Sequence, residues 1–227
     1  PVMTTHVFQS QSGVLPPHVA ADSPITALIR PAHVGDVTAI IDLHRRAFAD
    51  TFGGAFGRNG IERGTQALAC AWQRQGAAAV RGMLVAEQDD QLIGTITLRT
   101  WEMTSDDAGI AELAFQEVLG MWGSTRSLFA LSILDHRIDH HEGFVSDVAV
   151  LESYRRNGVA RRMVARAEEE ARARRKRFLG LYVSSHNTGA RNLYLSLGFV
   201  EAHTRRSLLA WLFFRQGTWY YMRKSLL

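Results

Sequence analysis

Residues 147–162 read DVAVLESYRRNGVARR. A short apolar run (Val148, Ala149, Val150) stops at a polar turn carrying Arg155, Arg156, Asn157, Gly158 and Ala160. A long stretch rich in Arg, Glu and Ala follows, from about Val159 to residue 175. The pattern is strand, tight turn, helix. The first N–H groups of a helix have no partner inside it, and the helix dipole puts partial positive charge at the same end. A turn without bulky side chains lets those N–H groups approach an anion, with phosphate the usual guest. Gly158 has no Cβ to hold an anion off, and Ala160 keeps the first helical turn thin. Arg155 and Arg156 can pair with a diphosphate. The plainer alternative is a helix that begins after a strand, with its arginines in water. The turn is not a nucleotide P-loop, because it lacks Gly-Lys-Ser/Thr, and it lacks the three glycines of a dinucleotide fingerprint.

A second segment, residues 187–199, reads NTGARNLYLSLGF. Asn187 is a natural N-cap, and Ala190, Leu193, Tyr194 and Leu197 recur at helical spacing. Gly198 ends the helix and Phe199 begins the next strand. Taken alone, Tyr194 is a core tyrosine with one polar end.

Together the two segments resemble the GNAT superfamily, the acetyl-CoA-dependent N-acetyltransferases. Motif A of that family, Arg/Gln-x-x-Gly-x-Gly/Ala after a strand, is matched by Arg155, Gly158 and Ala160. The family pattern after its fifth strand is Asn-x-x-Ala, then Leu-Tyr, then Leu-Gly-Phe. It is matched by Asn187, Ala190, Leu193, Tyr194, Leu197, Gly198 and Phe199. The resemblance covers about residues 25–227, is strongest over 147–199, and is weak over 101–141 and in the N-terminal arm. It implies an α/β (α+β) GNAT-type acyl-CoA N-acyltransferase fold, a mixed, mostly antiparallel sheet of about seven strands flanked by helices. The implied reaction moves an acetyl group from the co-substrate acetyl-CoA directly to a primary amine of a small molecule or peptide, without a metal.

The resemblance also implies roles. The backbone of Val148 and Val150 would pair with the pantetheine arm like an added strand. An N–H near Val150 would polarise the thioester oxygen. Arg155, Arg156, Asn157, Gly158, Val159 and Ala160 would hold the diphosphate, and Asn187 would hydrogen-bond the pantetheine. Tyr194 would be the general acid near the sulfur. The sequence departs from the family at the base, where many members carry a glutamate on the fourth strand. By alternation Phe144, Ser146 and Val148 share a strand face, and neither Phe144 nor Ser146 is a strong base. Asp147 points the other way unless a bulge intervenes. Glu142 lies further out on the Ser146 face and is the candidate base, acting through a water; His140 and His141 are alternatives. The missing strand carboxylate favours a rival, a non-catalytic acyl-CoA-binding or regulatory module, and Tyr194 argues against it.

These residues need elements to position them. The chain has 227 residues, 46% hydrophobic and 21% charged, enough for one sizeable core. Residues 1–24 read as an arm, and 25–227 as a single domain with an insert at about 101–142. The net charge of +4 comes almost wholly from arginine, since Lys176 and Lys224 are the only lysines. Cys70 is the only cysteine, which excludes an intrachain disulfide and a cysteine zinc site and suits a cytoplasmic setting. No run is long enough to span a bilayer, and no secretory signal is expected, so no membrane partner is expected either.

In order, a strand is expected at 25–30, then a helix from an Asp36 N-cap to about residue 48. Residues 52–60 hold four glycines and read as a connector or an anion cradle. A helix at 61–75 and strands at 83–86 and 92–99 follow, with a turn at Asp89-Asp90. Ile110, Leu113, Ala114, Val118, Met121 and Trp122 form a helical stripe read as core packing. Residues 135–142 gather acids and histidines. If helical, they would set His136 and His140 at zinc-binding spacing; otherwise they form a solvated loop beside a cleft. The basic run 172–177 reads as a solvated helix end. Nucleic acid is not expected, because no recognition motif accompanies it. Strands follow at 178–184, 201–214 (with an irregularity) and 218–225, the last two joined by a turn at 215–217. Trp211, Phe213, Phe214, Trp219 and Tyr220 read as sheet core, an aromatic wall or a homodimer contact.

Overall fold

The computed structural model describes residues 26–57, 59–103, 108–133 and 135–227, so the expected arm at 1–24 lies outside it. The strands are β1 (Leu28–Pro31), β2 (Met83–Gln88), β3 (Gln91–Thr100), β4 (Glu142–Val150), β5 (Phe178–Ser184), β6 (Val200–Arg206) and β7 (Thr218–Ser225). They form one sheet in the order β1-β2-β3-β4-β5-β7-β6. Every neighbouring pair is antiparallel except β4 and β5, which run parallel. The helices are α1 (Val37–Ala47), α2 (Ala49–Phe56), α3 (Ile61–Gln75), α4 (Ala108–Ser132), α5 (Val159–Ala173), α6 (Thr188–Ser196) and α7 (Leu208–Phe214). This is the mixed, mostly antiparallel α/β sheet expected.

Alternation along the strands gives the sheet two apolar faces. On one, Met163, Val164, Ala167 and Ala171 of α5 pack with Leu84, Ile93, Ile96, Leu98, Val145 and Leu181. On the other, Val37, Ile40 and Ile41 of α1 pack with Met83 and Val85. Each Val, Leu, Ile or Met among them contributes about 1.5–3 kcal/mol by leaving water. Asp89 and Asp90 both adopt left-handed φ (50° and 58°), giving the tight turn that the twist of the β2–β3 hairpin favours.

Four expectations are corrected. First, residues 49–56 are helix, not loop. Phe52 and Ala55 are buried, and the helix's last carbonyls accept from α4: Arg126 donates to Gly54 O and Ala55 O, and Ser127 Oγ to Ala55 O. Gly54 is needed for closeness rather than flexibility, since a Cβ there would lie 2.4 Å from Phe213 O and the Phe214 ring. Second, the stripe on α4 is out of phase. Ala114 and Phe115 are the buried pair, packed against Ala67 and Ala71 of α3, while Met121 and Trp122 are 75% and 88% exposed. A non-helical Gly120 (φ 72°, ψ 174°) breaks the helix and resets its phase just before them. Ile110 falls outside the described side chains.

Third, residues 201–214 are not one strand. β6 ends at Arg206, Ser207 caps α7 through its hydroxyl on Ala210 N–H, and Arg215 closes α7 in the left-handed region. Fourth, Asp36 holds the N-cap position of α1 as expected, but its carboxylate makes no capping bond to the helix. Its carboxylate takes two bonds from Arg30 (2.8 and 3.0 Å) and one from His33 N–H. At the basic end of α5, Lys176 is buried, its Nζ held by both Glu102 oxygens and His140 O, and Arg172 bonds Leu226 O. Those two cations serve the fold. No helix among the described residues is long and apolar enough to cross a membrane.

The two glycines of α2 should therefore respond oppositely to alanine. Gly53→Ala, where a Cβ meets nothing within 4 Å, should stabilise by about 0.5–1 kcal/mol. Gly54→Ala should destabilise by about 1–3 kcal/mol through overpacking on α7. Urea unfolding of the two variants measures both.

Candidate active site

β4 and β5 pair from Glu142↔Phe178 to Val145↔Leu181 and no further, although β4 runs to Val150 and β5 to Ser184. Beyond that point each strand is held by its outer neighbour, β4 by β3 and β5 by β7. The strands part, and a cleft opens between them, lined by Ser146, Val148 and Val150 on one side and Tyr182 and Ser184 on the other.

The parting coincides with a bulge. Thr95 lies opposite Ala149 and Thr97 opposite Ser146, so Asp147 and Val148 together face the single residue Ile96. Asp147 takes φ 54°. A buried chain of bonds supports it: Thr95 Oγ1 donates to Asp147 O (2.9 Å) and lies 2.9 Å from His44 Nε2. The single hydroxyl proton of Thr95 is committed to the carbonyl, so His44 Nε2–H is the donor to Oγ1. Burial lowers the His44 pKa against the opposing pull of Asp147, which fits a neutral ring. The bulge brings Asp147 to the cleft lining, with Ser146 Oγ donating to its Oδ2 (2.8 Å).

At one end of the cleft the turn before α5 is shaped by two left-handed residues, Arg156 (φ 68°) and Gly158 (φ 75°). Gly158 is the residue from which α5 starts, and the space its Cβ would occupy is open. Arg155, Arg156, Gly158, Val159 and Ala160 line the cleft. Arg155 Nε donates to Val150 O, tying the turn to the strand. Asn157 is not a lining residue; its amide donates to Arg155 O and braces the turn. Asn187 lines the cleft and caps α6, Oδ1 accepting from Ala190 N–H at 3.0 Å, which leaves its Nδ2 as the group to offer a ligand. Tyr194 stands on the wall at 5% exposure, edge-on to Phe199. Burial pushes its phenol up to about 12, so it stays protonated near neutrality.

Glu142 is placed differently from a residue on the cleft wall. It is 1% exposed and does not line the cleft. Its Oε1 accepts from Tyr221 OH (2.6 Å), its Oε2 from Asp139 N–H (3.1 Å), and both oxygens lie within 3.1 Å of His136 Nε2. Burial pushes the carboxyl pKa up, but the bonds from His136, Tyr221 and Asp139 outweigh it and hold it below its ordinary value. Burial and the same contact push the Tyr221 phenol up. Gly180 makes the room: a Cβ there would lie 2.1 Å from Glu142 Oε1 and 2.3 Å from Tyr221 OH.

His136, which does line the cleft, stands out in the sequence only as a zinc candidate. Residues 135–139 are not helical, so the zinc spacing is not realised, and His140 instead packs on Trp101 at 4.2 Å. His141 is exposed, its carbonyl accepting from Arg177 N–H. Nothing local in DHRIDHHE says which histidine turns inward. The only signal was a glutamate at a buried strand position, which needs a cationic or N–H partner.

Among curated proteins the chain is 43% identical over 56 residues to a GCN5-related N-acetyltransferase 4, chloroplastic, of Arabidopsis thaliana. It is 40% identical over 60 residues to the uncharacterized N-acetyltransferase YycN of Bacillus subtilis. These matches take in 25% and 26% of the chain, and only 19% and 38% of the relatives' own lengths. Among solved structures, the PaiA N-acetyltransferase of Thermoplasma acidophilum in complex with coenzyme A has the same fold at TM-score 0.56. That similarity covers 88% of this chain and 99% of that one at 15% identity. The profile described as Acetyltransferase (GNAT) family matches residues 39–199, which include the bulged strand, the turn and Tyr194: the chain belongs to that family.

Proposed function

We propose that the protein is an N-acetyltransferase that moves an acetyl group from acetyl-CoA directly to a primary amine of a small molecule or peptide. The observation that carries this reading is the parting of β4 and β5 beyond Val145↔Leu181, with the left-handed turn and the start of α5 at its end. The unpaired inner edge of β4 can accept an extended pantetheine as if it were another strand, through the backbone of Val148 and Val150. The first N–H groups of α5, with Arg155 and Arg156, suit the diphosphate. Asn157 shapes the turn, Val159 seats α5 in the core, and Ala160 keeps the approach open. The coenzyme A in the Thermoplasma acidophilum structure supports the same use of this fold. The lone cysteine, Cys70, suits a reducing compartment such as the cytoplasm.

Three tasks remain once the thioester is held. A backbone N–H near Val150 would polarise its oxygen as charge develops there. Holding the amine against it makes attack effectively intramolecular. Tyr194, protonated near neutrality, would supply a proton to the departing sulfur. The amine would enter the same cleft, where Phe144, Ser146, Phe48, Phe52 and Trp219 are among the lining residues.

Calorimetric titration with acetyl-CoA tests the cofactor half. The wild type should bind at tens of micromolar or tighter, about −6 kcal/mol. Gly158→Trp, which fills the open space at the turn, should abolish binding. Tyr194→Phe should lower kcat by about 100-fold while leaving the affinity for acetyl-CoA unchanged. Binding without turnover on any amine would mark the chain as a non-catalytic acyl-CoA-binding module.

A further inference from the structure

We propose that His136, held by Glu142 and Tyr221, is the general base that takes the proton from the acceptor amine. The inference rests on the acetyltransferase reading of the cleft.

The ring stands where the strands part. It stacks on Phe144 (4.3 Å, 29°), the residue before the last β4–β5 pair, and meets Tyr182 edge-on at 5.5 Å. Its side chain is 15% exposed and lines the cleft. It thus occupies the space beside a strand position, Phe144, that carries no acid–base group of its own.

The hydrogen bonds set the tautomer. An ionised carboxylate only accepts, so the Nε2 facing both Glu142 oxygens carries the proton. In the neutral ring the lone pair is then on Nδ1, which has no hydrogen-bond partner among the described residues. Glu142 is fixed in turn by Tyr221 OH and Asp139 N–H, and Gly180 leaves it room. The segment bearing His136 is pinned by Arg205, which donates to Ile133 O and Asp135 O and lies over Tyr182. The titratable and charged groups around the ring are Glu142 on β4, Tyr182 on β5, Tyr221 on β7, and Asp135, Arg137 and Asp139 on its own segment; His203 and Arg205 of β6 stand behind the two tyrosines, and Arg99 of β3 is opposite Phe144. Among the described residues Glu142 is the one carboxylate bonded to the ring, and it would stabilise the imidazolium. His44, the other histidine buried at the cleft, has a threonine hydroxyl there instead and no bonded carboxylate.

The step balances as follows. One N–H bond of the substrate ammonium breaks, its electron pair stays on nitrogen, and the proton goes to Nδ1. The lone pair forms the N–C bond to the thioester carbon, and the C–S bond breaks with its pair leaving on sulfur. A second nitrogen proton ends on the thiol, relayed by Tyr194, and His136 returns the first to water.

His136→Gln tests the assignment, because glutamine's Nε2 can keep the bond to Glu142 while Nδ1 is lost. The variant should bind acetyl-CoA as the wild type does but lose about 10²–10³-fold in kcat/KM for the amine. The acid limb of the wild-type pH profile, the mark of a base that must be deprotonated, should vanish. Glu142→Gln should bind acetyl-CoA as the wild type does and lower kcat/KM for the amine, since the ring loses the carboxylate that positions it. His136→Gln with turnover within about 3-fold of wild type and an unchanged pH profile would overturn the base and leave the acetyltransferase intact. Failure of the wild type to bind acetyl-CoA would overturn both. Nitrogen NMR of the histidine ring reads the same point without turnover: the neutral ring should show a protonated Nε2 and a bare Nδ1, and a protonated Nδ1 would overturn the proposal.

Discussion

The structure depends on a strand that changes partners part-way along. β4 has a parallel neighbour on one side only as far as Val145, while on the other side its pairing with β3 takes in an extra residue. A bulge bends and twists the strand that carries it. Here the extra residue falls at Asp147 and Val148, just after the point where β5 is lost. The left-handed Asp147 is held from beneath by the His44–Thr95 pair. A cleft with free backbone along one wall is the result, and α5 begins at its end.

The same parting creates the second polar device. Burying Glu142 between sheet and loop is costly unless its charge is met by donors. Three donors meet it, from the loop backbone, β7 and His136. Gly180 is the local condition for this, being the β5 residue across which Glu142 and Tyr221 make contact. A carboxylate that is out of reach of the cleft is thereby connected to a ring that is not.

What could be read from the sequence was local in the chain. The turn at 155–160 and the α6 segment with its Asn187 cap each carry their geometry in consecutive residues, so spacing alone described them. Where distant packing decided, reading failed. The glycines of 53–54 suggested a loop, yet Gly54 is there so that α7 can approach a helix. The aromatic run 208–214 suggested a strand, but Ser207 starts a helix there. The stripe on α4 counted straight through the break at Gly120. His136 reaches Glu142 across an irregular loop, and neither period nor spacing encodes that contact.

Hydrogen exchange with and without acetyl-CoA tests the central claim most directly, that the unpaired stretch of β4 and the turn after it form one binding wall. Added acetyl-CoA should slow exchange at the amides of 146–150 and 155–160 and leave β1 and β6 unchanged. Unchanged exchange across both stretches, or protection confined to another part of the sheet, would contradict it.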